Sequence, residues 1–233
     1  MSPAFSGRRR RQSDLAFGFT ALISDLDGTL VETEELLWDV YRELLEQRGL
    51  DFAAFDYGTI IGRGDEEACA VVLAHFGLPE DPVRWHRDVY APRVHERLPG
   101  VKMRPGADAV LEEARKAGLE RGLVTSSPRL HAKVALDAVG LRRHFRVMVT
   151  GDMEEVERRK PHPDPYLHAA KLLRVQPHQT LVLEDSPAGV ASAKAAGMVV
   201  AAFAHKHSPR DGLRQADLVL DDLRDFKLSM LAR

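Results

Sequence analysis

Phe19-Thr20-Ala21-Leu22-Ile23-Ser24-Asp25-Leu26-Asp27-Gly28-Thr29-Leu30 begins as an apolar run without charge and ends in two carboxylates separated by one residue. Such a run, closed by an Asp-Gly turn signal, predicts a strand over 19–24 with Asp25 and Asp27 at its C-terminal end. Carboxylates at i and i+2 can project toward one site. Gly28 lets the chain turn sharply, and Thr29 can hydrogen-bond the turn. The same letters also fit a plain hairpin in which ISDL and TLVE are arms around Asp-Gly. An EF-hand loop is excluded, because the spacing to a second acidic pair and a terminal Glu is wrong.

Outward from this stretch, short β-branched runs alternate with amphipathic segments. Strands are expected over 19–24, 121–126, 147–150, 180–184, 198–203 and 217–220, and helices over 105–117, 131–139, 165–173 and 187–195. Gly118, Gly140 and Gly197 follow three of those helices as stop signals. This alternation predicts an α/β fold, a doubly wound, Rossmann-like parallel sheet covered on both faces. Right-handed crossovers then bring the C-terminal ends of the strands to one edge. The alternation breaks after the first strand, where 34–47, 65–76 and 83–96 are helical runs with no strand between them. The expected organisation is a basic tail over 1–18, an α/β core over 19–32 and 103–233, and an all-helical insertion over 33–102. Leu98-Pro99-Gly100 and Arg104-Pro105-Gly106 bound the insertion with turn chemistry suited to a hinge.

The composition excludes several functions. With 33 Lys and Arg against 35 Asp and Glu, the net charge of -2 gives no positive field for nucleic acid. Charges interrupt every hydrophobic run well before the ~20 residues of a membrane helix. The single cysteine, Cys69, cannot form an internal disulfide, removes multi-cysteine metal centres, and reads as a buried structural thiol. Arg8-Arg9-Arg10-Arg11 before LAFGFTALI imitates a secretory signal, but Asp14 interrupts it and cleavage there would remove the first strand. The expectation is a cytoplasmic monomer acting on a small molecule.

Three further features fall at predicted strand ends. Thr125-Ser126-Ser127-Pro128 gathers hydroxyls and amides able to hold phosphate oxygens, or simply to cap a helix. Lys160 emerges from Arg158-Arg159-Lys160-Pro161-His162-Pro163, where prolines fix the backbone, although a solvated basic loop fits the two arginines. Glu184-Asp185-Ser186 places two acids at the end of a buried strand, which calls for a cation or for helix capping. Carboxylates from two strand ends suggest a hard cation, with a phosphoryl group beside it.

DLDGTL, VTSS, KPHPDPY and LEDSPAGVASAKAAGM, in this order, resemble the four motifs of the haloacid dehalogenase superfamily. The helical insertion resembles the C1-type cap of the subfamily that contains phosphoglycolate phosphatase and beta-phosphoglucomutase. The resemblance implies a phosphatase for small phosphorylated metabolites. It implies that Asp25 is the nucleophile and forms an aspartyl phosphate, and that Asp27 is the general acid and base. Thr125, Ser126 and Lys160 then hold phosphate, and Asp25, the Asp27 carbonyl, Glu184 and Asp185 hold Mg²⁺. Arg63, in Gly62-Arg63-Gly64 of the cap, is the candidate for a substrate contact.

Rival readings remain. A dehalogenase would set Asp27, Glu184 and Asp185 beside an anionic substrate without a metal. A phosphomutase of the same subfamily resembles the chain in EDSPAGV, but the mutase cap histidine falls on Leu37 and its phosphate-gripping arginine on Asp65. A catalytically silent binding protein would have lost an acid or the lysine, and all are present. Trp38, Tyr41, Trp85 and His86 are further cap candidates, with Trp38 and Tyr41 at core spacing. His205 and His207 read as surface loop.

Overall fold

The computed structural model of the chain describes residues 18–232. The arginine run and the rest of the expected tail, apart from Gly18, lie outside the described residues. Six strands, β1 (Ala21–Ser24), β2 (Glu120–Val124), β3 (Val147–Val149), β4 (Thr180–Glu184), β5 (Val199–Phe203) and β6 (Leu218–Leu220), form one sheet in the order β3-β2-β1-β4-β5-β6. Every pairing is parallel, and Ile23 in β1 lies opposite Gly122 on one side and Val182 on the other. The hairpin alternative is therefore excluded, since β1 is flanked by two partners from distant sequence. The strand order reverses at β1 and β4, the place where a doubly wound sheet opens its binding crevice.

Strand alternation sorts the side chains into two apolar layers. Leu22, Leu181, Leu183, Val199, Ala201 and Phe203 face one layer, whereas Ala21, Ile23, Val182, Val200 and Ala202 face the other. Helices α5 (Ala107–Lys116) and α6 (Arg129–Ala138) supply the first layer, and α7 (Asp164–Leu173) and α8 (Pro187–Ala195) the second. Each fully buried Leu or Ile side chain contributes about 1.5–3 kcal/mol. This layering makes β1 rigid and fixes the loop that carries Asp25 and Asp27.

Residues 33–102 contain helices and turns and no strand. Helix α1 (Thr33–Glu46) packs through Leu37, Val40, Tyr41, Leu44 and Leu45, the face its periodicity predicts. Helix α2 (Asp65–His75) buries Cys69, whose Sγ lies 3.4 Å from the Tyr41 hydroxyl; burial pushes the thiol up to about 12, so it is an inert core group. The single helix expected over 83–96 is instead α3 (Pro82–Trp85), a π-helical turn over His86–Tyr90, and α4 (Ala91–Arg97). Pro92 explains the difference, because it donates no N–H and its ring crowds the carbonyl one turn back, so the turn before it widens. The two passages that lead into and out of the helical insertion run antiparallel through a Val31–Met103 bridge, with Glu32 N donating to Lys102 O and Arg104 N to Leu30 O, both at 2.9 Å.

Candidate active site

Parallel strand ends bring together residues far apart in sequence. Asp25 follows β1, Thr125 and Ser126 follow β2, and Asp185 follows Glu184 at the end of β4. Lys160, in the loop after β3, places Nζ 2.6 Å from Asp25 Oδ1, 2.6 Å from Glu184 Oε1 and 3.2 Å from the Val124 carbonyl. Carboxylate oxygens of Asp25, Glu184 and Asp185 lie within 4.8 Å of one another, and all three residues are buried. Gly28 is needed here for space as well as for its φ of +75°, since a Cβ would stand 2.1 Å from Asp185 Oδ2.

The charges do not balance within this cluster. Burial, reinforced by Glu184, Asp185 and Asp27, pushes Asp25 well above the usual carboxylate range even though Lys160 pulls the other way. Burial also acts on Glu184, but Lys160 and donors from Ser186 and Tyr166 outweigh it and hold the group low. Glu184 is the better supplied of the two, with Oε1 taking Lys160 and Tyr166 and Oε2 taking the Ser186 hydroxyl and the amides of Asp185 and Ser186. Gly189 makes room for it, because a Cβ there would fall 1.6 Å from Glu184 Oε1. Asp185 is held by Thr29 Oγ1 and His205 Nε2, each at 2.8 Å. One ammonium among three buried carboxylates leaves a surplus of negative charge and an all-oxygen donor set, which fits a hard divalent cation.

Asp27 is differently placed. Oδ1 accepts from Thr33 Oγ1 at 2.7 Å and faces His131 Nε2 at 3.0 Å, while Oδ2 accepts from Ser127 Oγ at 2.7 Å and Thr125 Oγ1 at 3.2 Å. Burial opposes its ionisation, but His131 and the hydroxyls prevail and hold it below the usual carboxylate range. The Ser126 hydroxyl reaches across to the helical insertion and donates to the Gly62 carbonyl at 2.8 Å.

A pocket joins Asp25, Asp27, Thr125, Ser126 and Asp185 to a wall of Glu34, Leu37, Tyr57, Arg63, Asp65 and Tyr90 from the helical insertion. Arg63 lines it, and its guanidinium is tied to Glu67 and to the Thr59 carbonyl. Tyr41 also reaches the pocket, whereas Trp85 is buried in the cap core and stacks on Tyr41 and Tyr90. Trp38 stacks on His207, away from this pocket, and His86 sits 3.5 Å from Asp65. The surface-loop reading of His205 and His207 is corrected. His205 binds Asp185, and His207 binds Glu35 Oε2 of α1 at 2.8 Å. Their place just after β5, on the ligand-gathering edge, was the signal that sequence reading passed over.

The model of the haloacid dehalogenase-like hydrolases matches residues 19–197. The chain belongs to that family. Among haloacid dehalogenase-like relatives, validoxylamine A 7'-phosphate phosphatase of Streptomyces hygroscopicus subsp. limoneus is 31% identical over 210 residues, 90% of this chain and 96% of the relative. Hexitol phosphatase A of Escherichia coli is 33% identical over 211 residues, covering 88% and 92% respectively. The crystal structure of CbbY from Rhodobacter sphaeroides in complex with phosphate superposes with a TM-score of 0.78 at 28% identity, over 89% of this chain and 96% of that one. The chain is a phosphatase of the haloacid dehalogenase-like type.

Lys160→Ala should lower kcat about a hundredfold or more while KM changes less, because an ammonium beside the transferring group acts most strongly in the transition state. Arg159→Ala is the control. Arg159 is exposed and its guanidinium lies over Gly64 of the cap, so a smaller effect is expected in steady-state kinetics. A larger effect from the arginine would remove Lys160 from the reacting centre.

Proposed function

We propose that this phosphatase hydrolyses phosphate monoesters of small polyhydroxylated metabolites through an aspartyl phosphate on Asp25, with Mg²⁺ as cofactor. The observation that carries the reading is the pairing of a buried carboxylate at the end of β1 with Lys160, beside two further buried acids. Asp25, Glu184, Asp185 and the Asp27 carbonyl would hold the ion. When bound, it neutralises charge on the phosphoryl group so that an anionic nucleophile can approach.

Within the chain, the anionic phosphate brought beside Asp27 favours its protonated form, so that as Asp25 attacks phosphorus and displaces the alcohol, Asp27 gives that alcohol its proton. Asp27 then takes a proton from the water that splits the acyl phosphate, dividing one hard step into two easier ones. Thr125 and Ser126 steady the phosphate oxygens. The cap wall supports the substrate class. Glu34, Tyr57, Asp65 and Tyr90 offer carboxyl and phenol groups, and the lone arginine there is occupied by Glu67, so the wall suits hydroxyls better than a second anion. Relatives named for validoxylamine A 7'-phosphate and for hexitols agree with that chemistry.

A panel of sugar, polyol, carboxylate and aryl monoesters, assayed for inorganic phosphate with Mg²⁺, tests the reading. Polyol and sugar esters should lead the panel, and absence of release from every ester would overturn the proposal. Leu37 stands where mutase chemistry needs a cap histidine, and Asp65 stands where it needs a phosphate-gripping arginine. Phosphate should therefore appear steadily without a bisphosphate activator, and Asp27→Asn should slow its release by about two to four orders of magnitude. Interconversion of sugar 1- and 6-phosphates with little free phosphate would contradict this.

Residues 33–102 are proposed to act as a lid hinged at the paired passages near Val31 and Met103. Hydrogen exchange should fall around 31–33 and 102–104 when Mg²⁺ and a phosphate analogue are added. Unchanged protection there would count against closure.

A further inference from the structure

We propose that His131 is a positioning residue that fixes the carboxylate of Asp27 for the hydrolytic step, an inference that rests on the phosphatase reading above. Nothing in the motif set reaches this residue. It lies in the first turn of α6, its side chain is 1% exposed, and its Nε2 stands 3.0 Å from Asp27 Oδ1. Since the partner is a carboxylate, Nε2 carries the proton and donates.

The four donors on Asp27 differ in what else they must do. Thr125 belongs to the loop that is to hold phosphate, and its hydroxyl can turn from Asp27 to a phosphate oxygen. Thr33 is the first residue of α1 and shifts whenever the helical insertion moves about its paired passages. Ser127 stays on the core, but a hydroxyl rotor gives no fixed direction. His131 alone among these donors combines a core position with a rigid ring. Its neighbours Ala132, Ala135 and Leu136 anchor α6 in the apolar layer, so the direction of its N–H is set by packing. Across a catalytic cycle in which Thr125 and Thr33 change partners, the imidazole holds Asp27 in the orientation from which it takes the proton of the attacking water.

The test is kinetic, on the full chain with Mg²⁺ and the best monoester of the panel. His131→Leu keeps volume and removes the donor. It should lower kcat about tenfold to a hundredfold, the loss of one hydrogen bond to a charged group, while KM stays within about twofold. His131→Gln restores a donor and should recover most of the rate. In an Asp27→Asn background His131→Leu should cost little more, because its effect passes through Asp27. His131→Met serves the same comparison if the leucine variant does not fold. Wild-type kcat in a donor-free variant, losses that multiply in the double variant, or no recovery with glutamine would each overturn the inference while leaving the phosphatase reading standing. A wild-type protein that releases no phosphate from any ester would bring down both.

Discussion

Asp25→Asn should yield a folded protein whose phosphate release is slower by about four orders of magnitude or more, the scale seen when a covalent nucleophile is removed. The amide is neutral and cannot form the acyl phosphate, and it is a weaker ligand for a hard cation. The fold should tolerate the change. Deleting one partner of a buried ion pair is costly when it strands the other charge, but Lys160 keeps Glu184 at 2.6 Å and the Val124 carbonyl at 3.2 Å. The surroundings of Asp25 also hold it only reluctantly as an anion, so removing its charge relieves repulsion with Glu184 and Asp185. Thermal unfolding is expected to stay within a few degrees of wild type. Turnover near wild type would assign the nucleophile elsewhere, and a protein that melts far earlier would mean that the pair with Lys160 is chiefly structural.

The parts of the site legible in the sequence are those that the sheet itself positions. A parallel strand delivers whatever follows it to one edge, so Asp25, Thr125 and Glu184 could be grouped from strand ends alone. Lys160 and Asp25 meet across 135 positions of sequence for that reason. Helical periodicity was equally informative for α1, where burial of one face is the organising force. It failed over 83–96, because periodicity does not register the widened turn that Pro92 imposes.

What sequence could not reveal depends on side-chain direction within a helix or loop. His131 sits in an ordinary amphipathic helix, and a lone histidine there carries no spacing signal toward Asp27. The cap wall is similar. Glu34, Tyr57 and Tyr90 come from α1, a short turn and the π segment, and only the packing of those elements turns them toward one pocket. Arg63 stands out in the sequence within Gly62-Arg63-Gly64, yet its engagement with Glu67, one helical turn on, follows from local geometry that the letters do not disclose.

Removal of divalent metal should abolish turnover, and readdition of Mg²⁺ should both restore it and raise the melting temperature. The second readout is independent of activity and follows from the three buried carboxylates within 4.8 Å of one another, which a bound cation would bring to near balance with Lys160. Ligand that binds only the folded state at a hundred times its Kd adds about 2.7 kcal/mol. For a chain of this size that is about 5–10 °C. Ca²⁺ separates binding from catalysis, because it accepts more ligands at longer distances than the octahedral Mg²⁺. It should therefore raise the melting temperature while supporting little phosphate release, and it should compete with Mg²⁺ in the assay. Asp185→Asn should shrink the thermal shift, whereas Arg159→Ala, a change outside the acidic cluster, should leave it intact. Full turnover in excess chelator would exclude the metal role. Turnover that depends on Mg²⁺ without any thermal shift would place the ion on the substrate and not on these carboxylates, and Glu184 would then be understood as the buried counter-charge that holds Lys160 in place.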